Sequence, residues 1–555
     1  MSELIAVVRA DRMGTGVGLK SCIQAVVKDG RGKTVLWHTL NRVAQVKGIK
    51  QVVVIFPESQ EIQSLLDGDD FQGRLTLMPL PQEMMFDQLQ SKRQVARKWA
   101  MTSWRGGLGG MSCYDELLPI TPILHAVNQH KADGALLVGG DWMLVDPEFC
   151  DRVIARHLEN PQNMAFVFSQ CPPGLAGCVV GQELLSNMDQ SRSTFGLMLD
   201  YNPSKVQSDP IAFDVCVPVE PVVRDTQNRF IYDGSHARLA IDQLAEKMGD
   251  ELAHADRQTL VQQLQQLDSN HNVAQLLPGQ LGLELTPRRG VSGKLLPQYY
   301  VDLDREDLSF ELAQRIFQQI AAQGDVLLTL GGLGEPMLHD RFFDLIQDAK
   351  QQGVWGIHVE TDLGIEEQRV TDLLSCGAEV ISMRIHTDKH QSYDSWISPN
   401  DKKCFDLMIK NVEQLINGQR KNTQQMPWLV PTMFKIPETF DQIEQFFDRW
   451  THFVQHAVIR YPARGCGLMP HLGGTQMHPP KRFSCRQLPK RMTILSNGQV
   501  VLCDQDWQGK VAAGHVKNKS LLEIWQSMHH IREQQINGQW QAMPLCKKCH
   551  EWHRP

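Results

Sequence analysis

"KRFSCRQLPKRMTILSNGQVVLCDQDW", residues 481–507, sets a cysteine ahead of two short β-rich runs that meet at Asn497–Gly498. Asn-Gly is the dipeptide that closes a tight hairpin, because its positions accept a left-handed backbone. Strand, turn and strand are therefore predicted, with Cys485 before the first strand and Cys503 closing the second. After the helical pattern "SLLEIWQSMHHIREQQ" comes "MPLCKKCHEWH", which carries Cys546 and Cys549 in C-x2-C spacing. Two cysteines on a hairpin and a pair after a helix can converge to offer four thiolates to one metal centre. Four soft thiolates suit zinc or an iron–sulfur cluster, and spacing does not separate the two. His550 and His553 read as exposed tail residues, and Cys376, Cys404 and Cys466 stand far apart and isolated.

The same segment resembles the SPASM domain that follows the barrel in many radical-SAM enzymes modifying peptides and proteins. The matching features are the cysteine before a strand, "NGQVVLCDQDW", a Gly-His-Val, "SLLEIWQS" and the terminal C-x2-C. In that family the cysteines bind an auxiliary 4Fe–4S cluster, which the resemblance assigns to Cys485, Cys503, Cys546 and Cys549. Fuller versions carry more cysteines and a second cluster; this tail has one set.

Upstream, "LTLGGLGEPMLHD" (328–340) is similar to the glycine-rich strand end of radical-SAM proteins, whose backbone meets the amino group of SAM. Glycine is needed there because the ligand comes too close for a Cβ. "HVETDLG" and "ISMRIHTDKHQSYDSW" resemble the next two strands of that family, over a match running from about 280 to 470. Aligned on this frame, "TPRRGVSGKLLP" falls where the family carries C-x3-C-x2-C, and the three positions are Arg289, Gly293 and Leu296. Three thiolates there would hold three irons of a cluster whose fourth iron binds SAM and cleaves it to a radical. Arg, Gly and Leu do not ligate iron, so the resemblance implies a vestigial SAM site, including Gly331, Gly332 and Glu335, without standard radical chemistry. The scaffold then serves packing and partner binding, or binds SAM or another ligand without a cluster, with Arg288 and Arg289 offered to a carboxylate or phosphate.

The first part of the chain alternates apolar runs, "LIAVVRA", "KQVVVIF", "GALLVGG" and "MAFVF", with helical patterns such as "TVLWHTLNRVAQV" and "PEFCDRVIARHLE". That alternation predicts an α/β domain with a largely parallel sheet. "VVRADRMGTGVGLK" followed by "GRGKTVLWHTLNRV" resembles the opening of sugar nucleotidyltransferases of the cytidylyltransferase and spore-coat-polysaccharide type. The resemblance implies a nucleotide-diphospho-sugar transferase-like, Rossmann-like fold over about 1 to 240, with nucleotide binding by Arg12, Gly14, Lys20, Gly32 and Lys33. A glycine-rich loop after a first strand turns its N–H groups toward phosphates. "GALLVGGDWMLVDPE" resembles the strand whose terminal Asp binds Mg2+, which is Asp141 here; Asp146 caps the next helix and Asp233 is the second candidate carboxylate. This chain departs from the family in lacking the second Arg and the Pro of the R-L-P-G-K loop, and Trp142–Met143 replaces the usual pair after Asp. Cys171 and Cys178 read as buried thiols.

The expected architecture is α/β multidomain: residues 1–275 nucleotidyltransferase-like, 276–480 a partial (β/α) barrel of radical-SAM type, and 481–555 a small SPASM-type domain. A doubly wound sheet is the competing architecture for the middle segment. An apolar share of 42% and a charged share of 21% fit a globular protein rather than a disordered one. A net charge of −7 with scattered Lys and Arg excludes a nucleic-acid footprint, and no run reaches the ~18 apolar residues of a membrane span. Thirteen cysteines without a secretion signal indicate reduced thiols and metal ligands in a cytoplasmic protein. Three functional classes follow. The chain is a scaffold holding one 4Fe–4S cluster within polysaccharide or sugar metabolism. Alternatively it is a Mg2+-dependent nucleotidyltransferase acting on CTP or another NTP and a sugar, with nucleotide or nucleotide-sugar as ligand. In the third class it is a redox protein passing electrons to a protein partner.

Overall fold

Apolar runs without polar alternation mark strands covered on both faces, and such runs build both sheets of this protein. The computed structural model describes residues 3–11, 22–87, 89–100, 108–200, 205–268, 275–422, 426–474, 479 and 481–553. The chain divides into two units, Met1–Val273 and Ala274–Pro555. Among the described residues no helix is long and apolar enough to cross a membrane.

The first unit contains β1 (Leu4–Arg9), β2 (Val52–Pro57), β3 (Leu75–Leu80), β4 (Gly134–Gly139), β5 (Phe166–Ser169), β6 (Cys178–Gly181) and β7 (Cys216–Val217). Their order in the sheet is β3-β2-β1-β4-β6-β5-β7. β3, β2, β1 and β4 run parallel, β6 is antiparallel to β4 and β5, and β7 is parallel to β5. Every residue of β1, β2 and β4 is buried, as their unbroken Val, Leu and Ile runs require. The order changes direction between β1 and β4, so the chain leaves their carboxyl ends on diverging paths and opens a crevice. The helix Pro147–Glu159 starts where the sequence signals it: Asp146 accepts the N–H of Phe149 at 2.9 Å, and Pro147 takes the first helical position.

The second unit contains β8 (Gln280–Leu283), β9 (Leu327–Leu330), β10 (Gly356–Thr361), β11 (Val380–His386), β12 (Trp428–Phe434), β13 (Val458–Arg460), β14 (Arg491–Ile494), β15 (Gln499–Val501) and β16 (Ala512–His515). They form one sheet of order β13-β12-β11-β10-β9-β8-β14-β15-β16. From β8 to β13 each strand lies parallel beside the one before it. Parallel strands added in one direction keep their right-handed crossovers on one face, which is the winding of a (β/α) barrel and not of a doubly wound sheet. The sheet does not close, and β13 is one of its ends.

The tail segment joins this same sheet. β14 pairs parallel with β8, and β15 and β16 extend it antiparallel. The predicted hairpin is present: Gly498 has φ 87°, and the Asn497 side chain accepts the N–H of Gln499 at 3.1 Å. Trp525, Leu521 and Ile524 of the short helix Leu521–Ser527 are buried in the core shared by the barrel strands.

Candidate metal centre

A single cavity in the second unit is lined by Cys466, Cys485, Cys503, Cys546 and Cys549, with Arg482, Gln535, Leu488, Leu502, Leu545 and Trp552. The four cysteines predicted from the sequence converge there, and a fifth joins them. Cys503 leaves the end of β15, Cys485 precedes β14, and Cys546 and Cys549 flank the short turn Cys546–Lys548. His550 and His553 do not line the cavity.

Cys466, isolated in the sequence, reaches the cavity through "GCG" after β13. Gly465, Cys466 and Gly467 have φ of 53°, 55° and 99°, a left-handed run that only flanking glycines make cheap. A Cβ on Gly465 would lie 2.4 Å from the Trp507 ring, so this turn packs directly on the chain after Cys503. The paired glycines are the signal that sequence reasoning passed over.

The donor set fits an iron–sulfur cluster. Among the described residues no carboxylate or imidazole lines the cavity, which disfavours a hard cation. The sulfurs of Cys485, Cys503 and Cys549 accept backbone N–H groups from Leu488 and Gln487, from Gln505 and from Glu551, respectively. Two further donors wait there. Gln535 is 2% exposed, and its Oε1 accepts the Cys485 N–H at 2.8 Å, which leaves Nε2 as a buried donor with no partner. Arg482 Nε is also buried without one, while Nη2 donates to the Cys546 carbonyl at 3.0 Å. Unused donors around sulfur suit an anionic sulfur-rich group. Burial pushes the thiols of Cys485 and Cys503 up and that of Cys546 up to about 12. Their thiolates therefore need a bound cation to be stable there. Among the described residues no three Cys, His, Asp or Glu side chains are close enough to share one metal ion. The zinc alternative needs that arrangement, with sulfurs about 2.3 Å from one centre; a cluster takes each thiolate on a separate iron.

Among the described residues the barrel mouth holds no such donor set. Arg289, the first of the three positions that the resemblance would give to cysteines, clamps Asp362 with two hydrogen bonds of 2.6 Å, its Nε on Oδ2 and its Nη2 on Oδ1. Gly293 donates to the Ile397 carbonyl at 2.7 Å, and a Cβ there would stand 2.1 Å from the Trp396 carbonyl oxygen. Leu296 is 1% exposed within the core. A Cβ on Gly331 would stand 2.8 Å from Glu360, and Arg384 bonds both Glu360 at 2.9 Å and the Gly332 carbonyl at 3.2 Å. Arg288, the other arginine offered to a ligand, pairs with Asp307 instead. Glu335 accepts the N–H groups of Asp362 and Met337 at 2.5 and 3.2 Å, and burial followed by the Asp362 charge lifts its carboxyl to about 7. Side chains already occupy the space and the charge that a cluster and SAM would need.

The crevice between β1 and β4 is filled in the same way. Asp11 takes Arg9 at 2.5 Å and Arg93 at 2.8 and 2.7 Å; burial opposes its charge, but these guanidiniums hold its carboxyl down at about 2. Asp141, expected to hold Mg2+, is instead ion-paired to Arg97, whose Nε lies 3.3 Å from Asp233 and whose Nη1 lies 3.8 Å from Glu116. Arg229 bonds Asp233 at 2.6 Å and Glu116. The structure thus brings Asp141 and Asp233 together, as a metal site requires, but around a guanidinium. Magnesium does not fit this arrangement, because the carboxylates are already neutralised and the remaining cavity is about 10 Å3. Lys33 is not in the crevice lining: it pairs with Asp67 at 2.9 Å, and Thr34 beside it caps the helix Val35–Val43. Arg12, Gly14 and Lys20 lie outside the described residues. Cys171 and Cys178 are buried free thiols.

An uncharacterised protein of Treponema pallidum (strain Nichols) is 21% identical over 308 residues, covering 52% of this chain and 82% of that protein. Among solved structures, SuiB of Streptococcus suis bound to S-adenosylmethionine aligns with TM-score 0.39 and 14% identity, over 57% of this chain and 84% of that one. A cytidylyltransferase from Leptospira borgpetersenii serovar Hardjo-bovis aligns with TM-score 0.33 and 14% identity, over 49% of this chain and 95% of that one. Likenesses at that level carry no assignment. The region around the cysteine cavity is matched directly: residues 485–550 fit the family model of the SPASM iron–sulfur cluster-binding domain.

Proposed function

We propose that this protein is a radical-SAM-like SPASM protein that binds one 4Fe–4S cluster near its C-terminus without carrying out SAM radical chemistry. In this reading Cys485, Cys503, Cys546 and Cys549 hold the cluster, and the resemblance of the first unit to sugar nucleotidyltransferases supports a role in sugar or polysaccharide metabolism. The observation that carries the reading is the cavity itself, where thiols converge beside two unused buried N–H donors. The contrast with the barrel mouth supports it: Arg289, Gly293 and Leu296 stand where ligands would be needed, and each is committed to other contacts.

When bound, the group supplies a one-electron carrier and a cross-link between the hairpin and the terminal turn. Gln535 orients the Cys485 backbone through its carbonyl oxygen and leaves its amide N–H to the bound group. Cys485, Cys503, Cys546 and Cys549 are all partly exposed, which supports electron exchange with a protein partner over a purely internal staple. The arginine-filled crevice argues against nucleotidyl transfer in the first unit.

Two assays on anaerobically purified full-length protein test this reading. It should show a broad visible absorbance bleached by dithionite, and with SAM and dithionite it should release no 5′-deoxyadenosine. A colourless protein would remove the cluster, and release of 5′-deoxyadenosine would remove the claim of lost radical chemistry.

A further inference from the structure

The charge of this chain is segregated. Residues 481–555 carry 12 Lys and Arg against 5 Asp and Glu, whereas the other 480 residues carry 44 against 58. Such asymmetry between parts of a chain points to an interaction surface. The acids of the segment are committed elsewhere. Asp504 pairs with Arg491 at 3.6 Å and Glu533 with His529 at 3.2 Å. Asp506 accepts the N–H groups of Lys510 and Val511, Glu523 closes the capping box of the helix Leu521–Ser527, and Glu551 is 5% exposed.

The cations left over gather beside the cysteine cavity. Lys547 and Lys548 stand exposed on the turn between Cys546 and Cys549. Arg482 ties that turn to its own segment through the Cys546 carbonyl at 3.0 Å, and its guanidinium lies 4.8 Å from the centre of the Trp540 ring. Lys481, exposed, precedes it, and Arg486 lies over the Phe483 ring. Among the described residues Lys481, Arg486, Lys547 and Lys548 form no ion pair. The same segment packs on Ile536, whose carbonyl accepts the Ser484 hydroxyl at 3.1 Å and whose side chain, 61% exposed, is the most exposed large apolar group described. An isoleucine and a tryptophan inside a rim of cations have the make-up of a protein-docking face, apolar at its centre and charged around it.

We infer that this face docks the acidic surface of a protein that is a one-electron carrier. The carrier's role rests on the cluster reading above; the docking rests on the charge and the apolar centre. Rim cations steer an oppositely charged partner and fix its orientation. The acid excess of the other 480 residues repels an extended polyanion, which favours a compact acidic protein over a nucleic acid or an anionic membrane.

The probe is a plant-type [2Fe–2S] ferredoxin, an acidic one-electron carrier, labelled for fluorescence anisotropy and titrated with the full-length chain. Wild-type chain should bind it, and raising salt from about 50 to about 300 mM should weaken binding at least tenfold by screening the exposed charges. Lys547→Glu/Lys548→Glu should weaken it by about tenfold or more at low salt, and Ile536→Ala should weaken it at both salts. Lys47→Glu, at an exposed lysine of the first unit, should bind as wild type does. No binding at low salt, binding indifferent to salt, or an equal loss in Lys47→Glu and the double variant overturns the inference. So does tighter binding of a single-stranded oligonucleotide or of phosphatidylserine vesicles that the double variant loses, or a dimer of the chain that the double variant breaks. Wild-type chain that binds the probe yet holds no iron or sulfide would instead refute the cluster assignment and leave the docking face standing.

Discussion

Replacing Arg289 by Met should destabilise the second unit by about 3 kcal/mol. Arg289 and Asp362 have side chains only 5% and 4% exposed, and two bonds of 2.6 Å join them. Removing one member of a buried pair typically costs about 3–5 kcal/mol, because the other charge stays in a medium that solvates it poorly. Asp362 would keep weaker partners in His386 at 3.5 Å and Arg384 at 3.9 Å, which places the loss at the lower edge of that range. For a unit of this size the loss corresponds to a fall of about 6–12 °C in the midpoint of its thermal transition. Scanning calorimetry resolving the second unit's transition measures it. The companion Arg289→Met/Asp362→Asn leaves no charge stranded and should recover most of the loss, giving a coupling energy of about 1–2 kcal/mol. Additive losses, or a single variant within about 0.5 kcal/mol of wild type, would refute the view that Asp362 depends on the guanidinium now occupying the barrel mouth.

The triple variant Arg289→Cys/Gly293→Cys/Leu296→Cys should gain no second cluster, because a Cβ at 293 meets the Trp396 carbonyl at 2.1 Å; a doubling of bound iron would contradict this. Wild-type protein should bind no Mn2+ at Asp141 in the presence of CTP, whereas Arg97→Ala should open a Mn2+ site that Asp141→Asn removes again. Paramagnetic resonance of free Mn2+ reports both, and wild-type binding abolished by Asp141→Asn would go against the account. Glu335 titrates at about 7 in the folded chain and near 4.3 when unfolded. Between those values the folded state keeps a proton that the unfolded chain releases, so the Glu335 contribution to stability falls as pH rises from about 4.3 to 7, while His358 and His386, lowered by burial to about 4, act in the opposite sense. Glu335→Gln should remove that contribution and make the stability of the second unit rise more steeply with pH, measured by urea unfolding at several pH values; an unchanged pH dependence would exclude a raised Glu335.

Much of the scaffold was legible because local signals agreed with the final environment. The unbroken apolar runs of β1, β2 and β4 became fully buried strands, and the Asp146–Pro147 cap started its helix where expected. The Asn497–Gly498 turn and the spacing of four cysteines were readable for the same reason. What stayed hidden depended on contacts between distant residues. Arg97 lies on a strongly polar helix, Gln90–Trp99, that reads as a solvated surface, yet Arg93, Arg97 and Lys92 are buried by partners elsewhere in the chain. Nothing local announces that β14 pairs with β8, some two hundred residues upstream, so the sequence does not show that the hairpin strands extend the barrel-type sheet. Cys466 was missed because its thiol gains meaning only from the four it meets.

The most direct measurement is the metal and sulfide content of the full-length chain, purified without oxygen. Four irons and four sulfides per molecule are predicted, dependent on Cys503 and unaffected by Arg289→Met. Stoichiometric zinc with no sulfide, or iron retained after Cys485, Cys503 and Cys546 are all replaced by alanine, would contradict the account.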